Sequence, residues 1–156
     1  MDMEMYLNVA GVAGGSQDIA HRNWIDVLSF HWGAAQGATE RADAGRVRFY
    51  DLRVRARLDR ASPALMMYCA RGMPVEHVVL SMYAMQGRRV ERTRLVLDDV
   101  RVSRMEVHGD KHHDGVIVTY GFRATAVRNH YWALTPQGGK GAESMTGWDR
   151  RKNIAC

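Results

Sequence analysis

The sequence predicts a mainly β fold: a small closed or nearly closed antiparallel β-barrel, two sheets in all, with one short α-helix. Three observations carry that expectation. Apolar and polar residues alternate at period two through most of the chain, as in strands half-covered by a core. One stretch alone switches to helical spacing, between a Ser-Pro pair and a glycine. A chain of 156 residues can bury roughly 70% of the surface its unfolded form exposes, enough for one core. Residues 1–156 are therefore expected to form a single domain.

Met5 to Val9 reads as a short strand, ended by the Gly-rich stretch Gly11–Ser16. Asn23 to Gly33 follows as a long strand, with Asp26, Leu28, Phe30 and Trp32 on one face and Ile25, Val27, Ser29 and His31 on the other. Apolar groups on both faces imply cover on both sides for part of its length. Gln36–Gly45 is polar and rich in Gly and Ala, the composition of an extended loop. Arg46 to Leu58 is a strand whose alternation slips by one residue near Phe49-Tyr50. That slip predicts a β-bulge, which would bend the sheet as a barrel requires.

In the helix, Ser62 is placed to cap the N-terminus, Pro63 suits the first helical position, and Gly72 suits the left-handed residue after the end. Leu65, Tyr68 and Cys69 share a face. So short a helix is marginal alone in water and is expected to dock on the sheet, as a plug at a barrel end. Val75–Met85 then turns through Gln86-Gly87 into Val90–His108, with a second slip at Asp98-Asp99. After a loop at Gly109–Asp114, Val116 to Leu134 places Val118, Tyr120, Phe122, Ala124 and Ala126 on one face. Pro136 to Gly141 reads as a flexible loop and Met145 to Ile154 as a last short strand. No internal repeat is visible.

Composition excludes several classes. With 46% hydrophobic and 25% charged residues, the chain is neither disordered nor fibrous. Its apolar runs are short and broken by Arg or Asp, so no membrane insertion is expected. Met1 to Tyr6 carries neither the basic region nor the long apolar stretch of a secretory signal. The expectation is a protein made in the cytoplasm which, if it leaves the cell, uses a route that reads no N-terminal signal. Two cysteines make no disulfide framework: Cys69 reads as a packed side chain and Cys156 as an exposed thiol.

No nucleophile elbow, P-loop, CxxC pair or HExxH is present, so neither a catalytic residue nor a cofactor is expected. The segment His108 to Asp114 holds three His and two Asp, residue types that zinc accepts. Lys111 lies among them, however, and the position suits a hairpin turn. A solvated turn is the expectation, and no metal is assigned. Asp98-Asp99 sends neighbouring side chains to opposite faces, which fits a bulge better than an acid–base pair.

The net charge of +5 is patterned. Arg53, Arg55 and Arg57 line one face of a strand, and Arg92 and Arg94 line one face of another. Such a stripe is either a solvated outer face or a basic surface turned to an acidic partner, a neighbouring subunit or a channel lumen. Nucleic acid is not expected, because no aromatic residues are interleaved with these arginines as stacking platforms. Trp24, Trp32, Trp132 and Trp148 read as core or subunit-interface residues.

Three segments stand together in a recognisable order. Ile25 to Gly33 reads IDVLSFHWG and is followed by a polar loop and Asp51-Leu52. Asp59 to Gly72 reads DRASPALMMYCARG, with a Ser-Pro-x-Leu-Met core before Cys and Gly. Gly147 to Asn153 reads GWDRRKN. In this order and spacing the chain resembles the Hcp proteins of type VI secretion systems over nearly its whole length. It departs from them in a shorter Gly run within Gln36–Gly45, in Arg150 where an aliphatic residue is common, and around His112 and His113.

The resemblance implies a phage tail-tube-like barrel assembled as a homo-hexamer, with rings stacked into a tube inside a contractile sheath. It also implies a spike protein at the tip, effector proteins held and protected in the lumen, and export through the type VI machine without a signal peptide. On that footing Ser29 and His31 are expected to face the lumen, with Arg53, Arg55 and Arg57 as further effector-binding candidates. The loop carrying Gln36, Thr39, Glu40, Arg41 and Asp43 is expected to reach a neighbouring ring. Two alternatives stay open: a tail-tube protein of a phage or other contractile particle, and an effector carrier or chaperone that builds no long tubes.

Overall fold

The computed structural model describes residues 2–37, 46–112 and 115–156, and at Gln86 the backbone alone. The chain runs β1 (Asp2–Val9), β2 (Ile25–His31), β3 (Ala34–Gln36), β4 (Val47–Phe49), β5 (Leu52–Arg57), helix α1 (Ala61–Arg71), β6 (Pro74–Gln86), β7 (Arg88–Gly109), β8 (Val116–Leu134), β9 (Lys140–Asp149) and β10 (Ile154–Ala155). A single 3-10 turn, Ile19–His21, lies between β1 and β2. Strands β8-β5-β2-β1-β6-β7 follow one another in the sheet, and β7 pairs back onto β8. Six antiparallel strands thus close a barrel, while β9 and β10 continue the sheet from β8 and β3 pairs with β4 apart from it.

Closure rests on the alternation. Leu52, Val54 and Ala56 of β5 stand opposite Phe122, Tyr120 and Val118 of β8, and all six side chains are at most 1% exposed. Burying a large apolar side chain of this kind contributes about 1.5–3 kcal/mol. The intervening residues Arg53, Arg55 and Arg57 are exposed. β8 is long enough to serve two neighbours in turn: residues 117–122 pair with β5 and residues 126–134 with β9. In the gap, the Arg150 N–H donates to the Thr125 carbonyl at 2.9 Å and Arg150 Nη1 donates to the Ala124 carbonyl at 2.6 Å. Backbone acceptors that change partner there are still satisfied.

At several places the backbone departs from what alternation alone implies. The slip near Phe49-Tyr50 is a break rather than a bulge. β4 ends at Phe49 and turns aside to pair with β3 through Ala34–Phe49, Ala35–Arg48 and Gln36–Val47. Gln36 therefore lies in a strand and not a loop, and Thr39, Glu40, Arg41 and Asp43 fall outside the described residues. At Asp98-Asp99 the ladder with β6 keeps step, and the irregularity is a positive φ of 50° at Asp99. The register shifts fall instead between Met82 and Tyr83 and between Val102 and Arg104. The last long strand begins at Lys140, after a turn closed by the bond from Thr135 N–H to the Gly139 carbonyl.

The helix also begins differently. Its N-cap position is Arg60, which makes no side-chain capping bond. Asp59 fills the role: Oδ1 accepts from the Ala61 N–H at 2.9 Å, and the carbonyl accepts from the Ser62 N–H at 3.2 Å. Ser62 is not the cap. It is buried in the first turn with its Oγ 2.6 Å from Tyr120 Oη, so its hydroxyl satisfies a core phenol instead. Pro63 is the third helical residue rather than the first, still within the turn whose N–H groups lack intrahelical acceptors. Gly72 holds φ at +63° and ends the helix as expected, in a conformation that a Cβ makes costly. Ala61 and Leu65 are fully buried, and Tyr68 and Cys69 pack against the core.

Candidate functional site

Residues directly opposite on neighbouring antiparallel strands share a face. On the outer side of the barrel this places His31, Arg53, Gly121 and Arg104 in one row across β2, β5, β8 and β7. Ser29, Arg55, Thr119 and Glu106 make the next row, and Arg57, Ile117 and His108 a third. Ser29 and His31 therefore do not share the core face of Ile25 and Val27, as strict alternation implies. A register shift between Val27 and Ser29 turns the rest of β2 by one position. It brings Ser29, His31, Arg53, Arg55 and Arg57 together on one surface and sets Phe30 opposite the buried Val54. Gly121 lies within the first row because a Cβ there would come 2.8 Å from Ser103 Oγ.

Beside this surface the β3–β4 hairpin walls a groove of about 710 Å³, lined in part by His31, Arg46, Arg48, Phe49, Tyr50, Asp51, Arg53, Arg123 and Arg150. Its acid, Asp51, is already engaged: Ser103 Oγ donates to it at 2.6 Å and Arg123 Nε at 3.3 Å. The His31 ring stacks on Tyr50 with centroids 6.0 Å apart. A second hollow of about 400 Å³ continues past Arg46, Arg123 and Arg150 to Arg101, Arg151 and Asp99. There Asp99 accepts from Arg151 Nη2 at 3.0 Å and Thr125 Oγ1 at 2.8 Å. The side chains of Arg48, Arg53, Arg55 and Arg57 make no hydrogen bond or ion pair among the described residues.

The second arginine pair differs. Arg94 donates to both oxygens of the buried Glu91, at 2.8 and 2.6 Å, and lies over the Trp132 ring. Burial alone would raise the Glu91 carboxyl. The bonds from Arg94 and Lys140 outweigh it and hold that group below its usual range. Arg92 donates to the Trp132 carbonyl at 2.9 Å and to Tyr131 Oη at 2.7 Å. These arginines serve the barrel wall.

A further cluster escapes sequence reasoning altogether. His21, 4% exposed, has Nδ1 2.7 Å from Asp18 Oδ2 and Nε2 2.8 Å from Tyr83 Oη. A carboxylate only accepts, so Nδ1 carries a proton toward Asp18, and Nε2 shares a hydrogen bond with the Tyr83 hydroxyl, which can donate or accept. The ring lies flat on Tyr6 at 4.3 Å, with Trp24 at its edge. Arg89 Nη1 donates to Asp18 at 2.6 Å and to Glu4 at 3.0 Å. Bonds from Arg89, then from His21, hold the Asp18 carboxyl well below the usual carboxylate range. Burial, then the bond to Glu4, pushes the Tyr6 hydroxyl up. The cluster ties the Ile19–His21 turn across β1, β6 and β7.

Among the described residues, no group of three His, Cys, Asp or Glu side chains is placed to hold a metal ion. His113 and Asp114, part of the polar segment considered for that role, lie outside those residues. No helix among them is long and apolar enough to cross a membrane. Trp132 is buried, while Trp32 and Trp148 pack against the core.

Comparison with known proteins yields a consistent picture. The family model described as "Type VI secretion system effector, Hcp" matches residues 6–128. The chain is similar to protein Hcp1 of Pseudomonas aeruginosa strain PAO1, at 28% identity over 160 residues that cover 99% of each chain. Among solved structures it is similar to Hcp1 from Salmonella typhimurium, with a TM-score of 0.86 and 28% identity over the whole of both chains. It is also similar to a structure described as a type six secretion system protein, with a TM-score of 0.91 and 25% identity over 99% of this chain and 100% of that one. With the match running from β1 well into β8 of a six-stranded barrel, the chain belongs to the Hcp family of type VI secretion proteins.

Proposed function

We propose that the chain is a structural subunit of the type VI secretion tube rather than an enzyme, assembling as hexameric rings that stack inside a contractile sheath behind a spike protein. The observation that carries the reading is an open sheet edge on an otherwise closed barrel. Across residues 140–146, β9 has β8 on one side, while on the other β10 reaches only Trp148 and Asp149. An edge of this kind offers a strand to a second chain. A head-to-tail contact that closes after a full rotation gives a ring, and one that does not close gives a filament. The β3–β4 hairpin, bearing Gln36 and the segment with Thr39, Glu40, Arg41 and Asp43, serves ring stacking. The face of Ser29, His31, Arg53, Arg55 and Arg57 lines the lumen and holds effector proteins. In this reading the subunit is made in the cytoplasm and leaves through the tube machine itself.

Negative-stain electron microscopy of the purified protein, with its mass measured in solution, tests the ring. Annular particles of six-fold symmetry are expected. A plain monomer at micromolar concentration would remove the tube and leave a carrier that binds effectors without assembling. In intact rings, His31→Asp is expected to lower the recovery of bound effectors. Undiminished recovery would take His31 off the lumen.

A further inference from the structure

We propose that the groove beside β3–β4 docks an extended, carboxylate-rich segment of a protein, with Arg48 and Arg53 as its anchors. The proposal rests on the tube reading only for the origin of that segment, an effector held on the same face.

Charge comes first. The groove gathers Arg46, Arg48, Arg53, Arg123 and Arg150 around Asp51, and Asp51 is already paired with Arg123 and hydrogen-bonded by Ser103. Among the described residues the Arg46 guanidinium reaches only the Arg150 carbonyl, at 3.5 Å, and the Arg150 guanidinium only the Ala124 carbonyl. The Arg48 and Arg53 guanidinium groups have no partner among the described residues. Like charges on a concave wall focus the field and draw in a counter-ion, and guanidinium pairs with carboxylate through two parallel bonds.

Spacing narrows the shape of the occupant. From Arg53 the cations continue at every second position to Arg55 and Arg57, about 6.6 Å apart along the strand. An extended chain presents its own alternate side chains at the same interval, so acids at every second position meet these cations one to one. The groove has the volume of a small-ligand cleft, which admits a chain segment but not a folded domain. Val47, Phe49 and Tyr50 in its wall suit apolar residues between the acids. Nucleic acid fits less well. Tyr50 and Phe49 are already stacked, on His31 and Trp32 respectively, whereas strand binding uses aromatic faces open to bases.

The test is fluorescence anisotropy on the full-length protein with a labelled synthetic peptide carrying Glu at every second position and Ala or Val between. Three probes accompany it: the same peptide with Gln for Glu, a peptide with the same Glu residues in one block, and a single-stranded oligonucleotide of equal charge. The alternating acidic peptide is expected to bind about tenfold tighter than the others, and to weaken with salt. Arg48→Glu and Arg53→Glu are each expected to cost about tenfold in affinity, with Arg22→Glu, an exposed site elsewhere, unchanged. Thermal melts show whether each variant is folded, and Arg53→Gln supplies a milder change at the same position. Affinity that survives both reversals, equal binding of the Gln peptide, or tighter binding of the oligonucleotide would overturn the proposal. Assembly is measured on the same samples. Rings that ignore the acidic peptide would overturn the docking site alone, whereas peptide binding by a monomer would uphold the site and count against the tube.

Discussion

Two regions of this barrel use arginine in opposite ways. Around Arg89, each charge is answered within the chain: Asp18 and Glu4 take its guanidinium, and His21 and Tyr83 complete the line. Around Arg48 and Arg53 no such answer comes from the described residues. A count of basic residues does not separate the two regions, whereas the pairing of each charge does. A saturated cluster contributes to holding the fold, while an unsaturated one is available to something outside it.

That contrast can be broken at its strong end. Arg89→Met leaves Asp18 and Glu4 without their cation, and its side chain is only 27% exposed. The expected loss is about 2–3 kcal/mol in urea denaturation, below the cost of breaking a fully buried pair. A loss under about 0.5 kcal/mol, the range of ordinary surface changes, would put the two regions on the same footing. Ser62→Ala applies the same logic in the core, where it strands the fully buried Tyr120 hydroxyl. We expect about 1–2 kcal/mol, and a double variant with Tyr120→Phe that loses less than the two singles combined.

Acid sharpens the comparison. Because the folded Asp18 carboxyl titrates below its ordinary value, its contribution is complete above the unfolded value of about 3.9 and is lost as pH falls through the folded one. Wild-type stability should therefore decline below about pH 4. Asp18→Asn should show a shallower acid limb in denaturation curves taken across that range, and parallel limbs would deny Asp18 the role. The smallest effect belongs to the open region. Arg48→Gln and Arg53→Gln should shift stability by no more than about 0.5 kcal/mol, and a larger fall would reveal a structural use for these side chains.

The barrel was legible where one strand's two faces meet different surroundings. Leu52, Val54 and Ala56 go in while Arg53, Arg55 and Arg57 stay out, and the residue types say so. β2 was harder, because Val27, Leu28 and Phe30 are all apolar, so residue types alone do not say where along the strand the phase changes, and only its pairing with β5 places the register shift. It nevertheless delivered Ser29 and His31 to the face of the arginines. The helix face was readable, yet its start was not. Asp59 and Ser62 are both capping types, and the choice is made by Tyr120, far along the chain. The Arg89 cluster joins Glu4, Asp18 and Tyr83 across separations that no local pattern encodes.

Closure of the barrel also has a kinetic side. β1 lies against β6, with Asp2 opposite Met85 and Val9 opposite Val78, so the first strand made waits for one synthesised much later. Folds dominated by such distant pairings take milliseconds to seconds, and their strands stay open to the wrong neighbour meanwhile. The edge of β9 is open in both the closed and the unclosed chain. If the chain assembles as proposed, ring growth competes with misassembly at the same edge, and rapid synthesis on crowded ribosomes should favour aggregates over rings.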